Sequence, residues 1–96
     1  MLKIRKHALA EQDIIDIWIY SFENWGRVQA DTYHDQLDDA FSIVADNPYI
    51  GVACDIVREG YRKYPVNRHL IMYHFSDTTL HIVRVLGEEM DYETNA

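Results

Sequence analysis

The chain has 96 residues, a single cysteine and a formal net charge of -7 at pH 7. This length suits one domain with one hydrophobic core, and no apolar run approaches the roughly 20 residues that a membrane-spanning helix needs. One cysteine excludes an internal disulfide, and the N-terminus lacks the apolar stretch of a signal peptide, so we expect a cytoplasmic protein. The acidic balance argues against nucleic-acid binding over the whole surface but allows a small basic groove.

The first half of the chain predicts a short strand followed by two helices. Residues 2–6, LKIRK, alternate apolar and cationic side chains as a half-buried strand does. Two apolar stripes with spacings of three and four then follow, separated by Gly26 and ended by Pro48. The first stripe comprises Ile14, Ile15, Trp18, Ile19 and Phe22; the second comprises Ala30, Tyr33, Leu37, Ala40, Phe41 and Val44. The short connection predicts an antiparallel helical hairpin.

The second half predicts an antiparallel meander. The segments YRKYP (61–65), RHLIMYHF (68–75) and TLHIVRVL (79–86) are rich in β-branched and aromatic residues. The predicted fold is therefore α+β: a short N-terminal strand and a two-helix hairpin packed on one face of an antiparallel sheet of three to four strands. Residues 1–96 form a single domain in this prediction, with 87–96 as an acidic C-terminal tail.

Turn positions predict the register of the meander. A two-residue loop at Val66-Asn67, with a positive φ at Asn67, pairs Tyr64 with His69 and Arg62 with Ile71. A turn centred on Asp77-Thr78 pairs His74 with His81 and Ile71 with Arg84 in the same way.

Strand alternation divides the sheet into two faces, of which two helices can cover only one. The face predicted to pack against the helices comprises Tyr61, Lys63, Leu70, Met72, His74, His81, Val83 and Val85, with its polar members towards the ends. The face predicted to stay open comprises Arg62, Tyr64, His69, Ile71, Tyr73, Phe75, Leu80, Ile82, Arg84 and Leu86. Its mixture of arginine, aromatic and aliphatic side chains is typical of a protein interface. A solvated sheet face with scattered aromatics is the alternative.

Three segments carry a resemblance to a known family. DIIDIWIYSFENWG (13–26), GYRKYPVNRHLIMYHF (60–75) and IVRVLGEEMD (82–91) resemble the ParE toxins of bacterial type II toxin–antitoxin modules, within the RelE/ParE superfamily. The resemblance spans about residues 8–91. It implies a cognate, ParD-like antitoxin laid across the toxin in a hetero-oligomer, and inhibition of DNA gyrase. It implies no cofactor and no catalysis by the chain itself.

Members of the same superfamily that are RelE-like cut mRNA on the ribosome, which is the main alternative. That reaction needs a base, cations near the phosphate and an acid, and Arg62, His69 and Arg84 are the candidates for it. RelE-like members tend to be basic after the last strand, whereas this chain has Glu88 and Glu89, which would repel a phosphate. The pattern favours gyrase, and a non-toxic remnant that only binds antitoxin is a third interpretation.

Two binding surfaces are predicted from these interpretations. The open face predicts an antitoxin-binding set of Arg62, Tyr64, Ile71, Tyr73, Ile82, Arg84 and Leu86. The C-terminal segment predicts a target-binding set of Leu86, Glu88, Glu89, Met90 and Tyr92.

No metal site is predicted. His74 and His81 oppose each other across a hairpin, but two imidazoles without a third nearby ligand rarely hold a metal, so a cross-strand polar pair is the preferred interpretation. Cys54 is interpreted as a small apolar filler, because the sequence places no electropositive neighbour beside it.

Overall fold

The computed structural model describes residues 1–87, which form two helices and a five-stranded sheet. The elements are β1 (Lys3–Lys6), α1 (Ala8–Trp25), α2 (Arg27–Asp46), a short 3-10 helix (Pro48–Ile50), β2 (Val52–Ala53), β3 (Arg62–Val66), β4 (His69–Phe75) and β5 (Thr79–Gly87). The sheet order is β1-β5-β4-β3-β2, and β1 runs parallel to β5 while the other pairs are antiparallel. The α+β class is confirmed. The sheet is larger than predicted, because β2 was not expected.

Gly26 makes the helical hairpin possible. Its φ of 88° lies in the left-handed region that favours glycine. Its N–H donates to the Phe22 carbonyl at 2.9 Å, and its carbonyl accepts the Ala30 N–H at 3.1 Å. One residue therefore ends α1 and begins α2, as predicted. Neither helix of residues 1–87 is long and apolar enough to cross a membrane.

The turn between β3 and β4 lies one residue later than predicted. Asn67 has the expected positive φ, 52°, but Val66 belongs to the strand and pairs with His69. Tyr64 therefore pairs with Ile71 rather than His69. Because this shift is two positions along β4, the grouping of side chains into faces is unchanged.

A β-bulge changes the faces of β5. His74 pairs with His81, as predicted, but Met72 pairs with Arg84 while Tyr73 pairs with Ile82, which leaves Val83 as an extra residue. Beyond the bulge Ile71 faces Val85, so the predicted pairing of Ile71 with Arg84 is wrong. Val85 lies on the helix-covered face, as predicted, although its partner there is Ile71.

The helices cover most of the face that was predicted to stay open, so the prediction of faces is wrong except at Val85. The core cluster comprises Ala10, Ile14, Leu37, Ala40, Phe41, Val44 and Ala45 from the helices with Ile71, Tyr73, Leu80, Ile82 and Val85 from the sheet. Tyr64 and Phe75 pack against this cluster, whereas the buried Met72 and Leu86 lie outside it.

The apolar stripe of α2 is confirmed, but that of α1 is displaced. The core-facing side of α1 carries Ala10, Ile14 and Ser21, which are buried, whereas Ile19 and Phe22 are exposed. Small side chains at positions 10 and 21 let this side of α1 lie close to the rest of the fold, a feature that counting large apolar residues misses.

Candidate functional site

Arg84 is held by α1. Its Nε and Nη2 donate to Asp13 Oδ2 and Oδ1 at 2.8 and 2.9 Å, a bidentate pair in which both side chains are largely buried. The hydrogen bond to Asp13 raises the pKa of Arg84. Asp13 Oδ2 also accepts the Val85 N–H at 3.0 Å, on the part of β5 that β1 does not pair. Asp13 thus closes an open sheet edge, and Arg84 is part of that closure.

Arg62 and Tyr73 hold the connection between α2 and β2. The Tyr73 hydroxyl donates to the Pro48 carbonyl at 2.7 Å and accepts the Gly51 N–H at 2.9 Å. Arg62 Nη1 donates to the Gly51 carbonyl at 2.6 Å, and burial raises the pKa of Tyr73. These contacts explain how a sheet face that carries hydroxyl and guanidinium groups can be buried. The backbone of the connection after α2 forms the hydrogen bonds that these groups need.

His69 contacts α2. Its Nδ1 lies 2.5 Å from the Tyr33 hydroxyl, which also donates to the Val66 carbonyl at 3.1 Å. The three residues of the nuclease interpretation therefore contact three different elements: Arg62 the connection after α2, His69 α2 and Arg84 α1. Each of them takes part in holding the fold.

The predicted antitoxin surface is not open. Ile71, Tyr73 and Ile82 are fully buried, and Leu86 is almost so. The other three members of the predicted set are Arg62, Tyr64 and Arg84, all partly buried. The prediction that this surface is exposed is therefore wrong, because Ile71, Tyr73 and Ile82 pack in the cluster that the helices cover. In the target-binding set, Leu86 is buried near the end of β5, and Glu88, Glu89, Met90 and Tyr92 lie outside the described residues.

The exposed apolar surface lies on α1 instead. Ile15, Ile19 and Phe22, which we call the α1 stripe, are 52%, 44% and 46% exposed and follow one another at spacings of four and three. The Trp18 ring stacks on Phe22 at 5.3 Å between centroids, and its indole N–H donates to Asp31 at 3.0 Å. A shallow groove runs beside the stripe between the helices, lined by Ile14, Ile15, Trp18, Asp31 and His34.

Carboxylates flank the α1 stripe. Glu11 lies one turn before Ile15, Glu23 lies one turn after Ile19, and all four side chains are exposed. Contiguous apolar surface rimmed by charge is typical of a protein-binding site. The signal was present in the sequence, since α1 carries more large apolar residues than one helix face can bury.

Three histidines form a separate cluster on adjacent strands. His7, which follows β1, places its Nε2 2.9 Å from His81 Nδ1. The His74 and His81 rings stack at 4.7 Å, and the Tyr61 ring stacks on His74 at 5.3 Å. Burial lowers the pKa of both His74 and His81, with further lowering by neighbouring His7. The opposition of His74 and His81 was predicted, but the third imidazole was not, because it depends on the unforeseen parallel pairing of β1 with β5.

Comparison with known proteins agrees with this architecture. Residues 4–92 match the model of the family described as ParE toxin of type II toxin-antitoxin system, parDE. The chain is 38% identical over 87 residues to Toxin ParE1 of Mycobacterium tuberculosis, covering 90% of this chain and 89% of that protein. It is 33% identical over 91 residues to Toxin ParE1 of Caulobacter vibrioides, covering 95% and 94%.

Two solved structures share the fold. A chain of the chromosomal ParDE TA system from P. aeruginosa superposes with a TM-score of 0.78 at 12% identity, covering 91% of this chain and 96% of that one. A chain of the E. coli DinJ-YafQ complex superposes with a TM-score of 0.54 at 11% identity, covering 92% and 94%. The sequence relatives and the family match together settle the classification: this chain belongs to the ParE toxin family of type II toxin–antitoxin systems.

Proposed function

We propose that this toxin acts in the cytoplasm by inhibiting DNA gyrase, without catalysis of its own, and that a cognate antitoxin neutralises it. The observation that supports gyrase over ribosomal mRNA is the use of Arg62, His69 and Arg84 in structural contacts. A ribonuclease needs such groups aimed at a phosphate. Here the Arg84 guanidinium is engaged bidentately by Asp13, and a paired carboxylate would repel an incoming phosphate.

The antitoxin is proposed to dock on the α1 stripe. An amphipathic antitoxin segment would place apolar anchors on Ile15, Ile19 and Phe22 and extend into the groove beside Trp18. Because Glu11, Glu23 and Asp31 border this surface, the segment should carry Lys or Arg beside its apolar anchors. Docking against Arg62 and Arg84 would instead favour an antitoxin segment rich in carboxylates, but both arginines are partly buried and bonded within the fold.

The target is proposed to be bound through the C-terminal segment, with Met90 and Tyr92 as apolar anchors among carboxylates. The last described strand ends at Gly87, so the segment can be removed without shortening any described strand. The strand predicted over residues 79–86 extends one residue further in the structure, where β5 ends at Gly87.

The test compares two activities of the purified chain. Supercoiling by gyrase should be inhibited, with accumulation of cleaved DNA in a gyrase complex, while mRNA on translating ribosomes stays intact. Truncation after Gly87 should abolish the inhibition with the melting temperature retained, and truncation after Thr94 should change neither. Codon-positioned mRNA cleavage that disappears in His69→Ala would establish the ribonuclease instead. Loss of both activities in a folded, antitoxin-binding chain would identify a non-toxic remnant.

A further inference from the structure

The histidine cluster is built by three neighbouring strands at one level of the sheet. His81 in β5 pairs with His74 in β4 on one side, and Arg5 in β1 pairs with His81 on the other, so His7 leaves β1 beside the pair. His74 and His81 alternate with Tyr73, Phe75, Leu80 and Ile82, which pack towards the helices. The three imidazoles therefore gather on the face of the sheet away from the helices.

The spacing of their nitrogens suits a metal ion. One ring nitrogen of each of His7, His74 and His81 lies within 4.8 Å of the other two. Around a tetrahedral ion with bonds of 2.0 to 2.1 Å, ligand nitrogens lie about 3.4 Å apart. On binding an ion, the 2.9 Å between His7 Nε2 and His81 Nδ1 would increase slightly, and any longer separation between ring nitrogens would decrease. Rotation of the side chains alone can provide both changes.

We propose that His7, His74 and His81 bind a divalent transition-metal ion, with Zn²⁺ as the best fit, and leave a fourth position for water. Three imidazoles and one solvent position form a well-known tetrahedral arrangement for Zn²⁺. Nitrogen donors select Zn²⁺, Ni²⁺ or Cu²⁺ over Ca²⁺ and Mg²⁺, which prefer oxygen.

Ring orientations show which ligand must move. His7 stands nearly perpendicular to both other rings, at 79° to His81 and 80° to His74. The His74 and His81 rings are nearly parallel, at 16°, so their lone pairs lie in parallel planes and cannot meet at one ion. His7 and His81 already bring one nitrogen each within reach of a common ion, and His74 completes the site by turning out of its stacks on Tyr61 and His81.

A second group of potential ligands on α2 is a weaker competitor. His34, Asp35 and Asp38 also lie close together, but both carboxylates are exposed. Asp38 is already shared between Lys6 at 3.7 Å and His34 at 3.5 Å. A cation there would have to displace Lys6, whereas an ion at the three-histidine cluster would displace only the proton shared between His7 and His81.

The experiment uses the full chain expressed without a histidine tag and treated with EDTA. Titration with ZnCl₂ at neutral pH should show one ion bound per chain and a rise in melting temperature, since a ligand that binds only the folded state stabilises it. EDTA should reverse the rise, and the ring ¹⁵N signals of all three histidines should shift on titration. These measurements require neither gyrase nor antitoxin, so their outcome is independent of the proposed function.

Variants locate the ion. His7→Gln, His74→Gln and His81→Gln should each weaken Zn²⁺ binding by more than the roughly 10- to 100-fold that loss of an outer-shell partner costs. The matched control His34→Gln should bind as the parent chain does. If the parent shows no bound Zn²⁺, or if His34→Gln loses binding while the three other variants keep it, the proposal is wrong. Each variant is compared with and without Zn²⁺, so a variant that is less stable from the start is not mistaken for one that has lost Zn²⁺ binding.

Discussion

At the scale of single residues, the Tyr73 hydroxyl connects the core to the chain that folds over it. It satisfies the Pro48 carbonyl and the Gly51 amide in a fully buried position. We expect Tyr73→Phe to lower the free energy of unfolding by about 1 to 3 kcal/mol, because both backbone groups lose their partner away from water. Urea denaturation measures this, with Tyr20→Phe at a 60% exposed position as the control. Equal stability of the two variants would show that the hydroxyl is not needed.

The same residue explains why the sheet faces were inverted in the sequence prediction. Arg62 beside Tyr64 and Tyr73 has the composition of an interface. A hydrophobic core is not expected to bury a guanidinium or hydroxyl group that has no hydrogen-bond partner. The acceptors that satisfy them are backbone carbonyls of Pro48 and Gly51, which no pattern of side chains reveals. Side-chain composition therefore predicted the strands but not which face the helices cover.

At the scale of elements, the two helices differ in how well periodicity describes them. In α2 the acids and the large apolar residues occupy opposite sides, and the predicted stripe is the buried one. In α1 large apolar residues surround most of the helix, so periodicity cannot separate the core side from the α1 stripe. The core side is marked instead by Ala10 and Ser21, which are small.

The confirmed stripe of α2 supports a prediction on stability. Leu37 is 1% exposed within the core cluster, so we expect Leu37→Ala to cost about 2 to 5 kcal/mol through lost burial and the cavity left behind. That loss would be a large part of the stability of a domain of this size. Thermal and urea unfolding measure it against Val28→Ala, in the same helix at an 82% exposed position. An unchanged melting temperature in Leu37→Ala would contradict the packing described for α2.

At the scale of the whole molecule, the features that the sequence left open are long-range. The bulge at Val83 and the parallel pairing of β1 with β5 depend on how distant segments fit together. The first moves Val85 into the core, and the second brings His7 to His81 across 74 positions of sequence. Local pattern predicted every main helix and strand and contained the signal for the α1 stripe, whereas the histidine cluster arises from contacts between elements.

The docking of antitoxin on α1 gives the prediction at this scale. Ile15→Glu combined with Ile19→Glu should weaken binding of the purified cognate antitoxin by about 30-fold or more, the loss expected at an interface hot spot. The melting temperature should not fall, because both side chains are about half exposed in the free chain. Tyr20→Glu is the matched control, since Tyr20 is exposed on α1 about 100° away from Ile19 around the helix axis.

Affinity can be measured by isothermal titration calorimetry, at two salt concentrations. Higher salt should weaken the parent complex if cationic antitoxin residues meet Glu11 and Glu23. An unchanged affinity in the double variant, or an equal loss in Tyr20→Glu, would place the antitoxin on another surface.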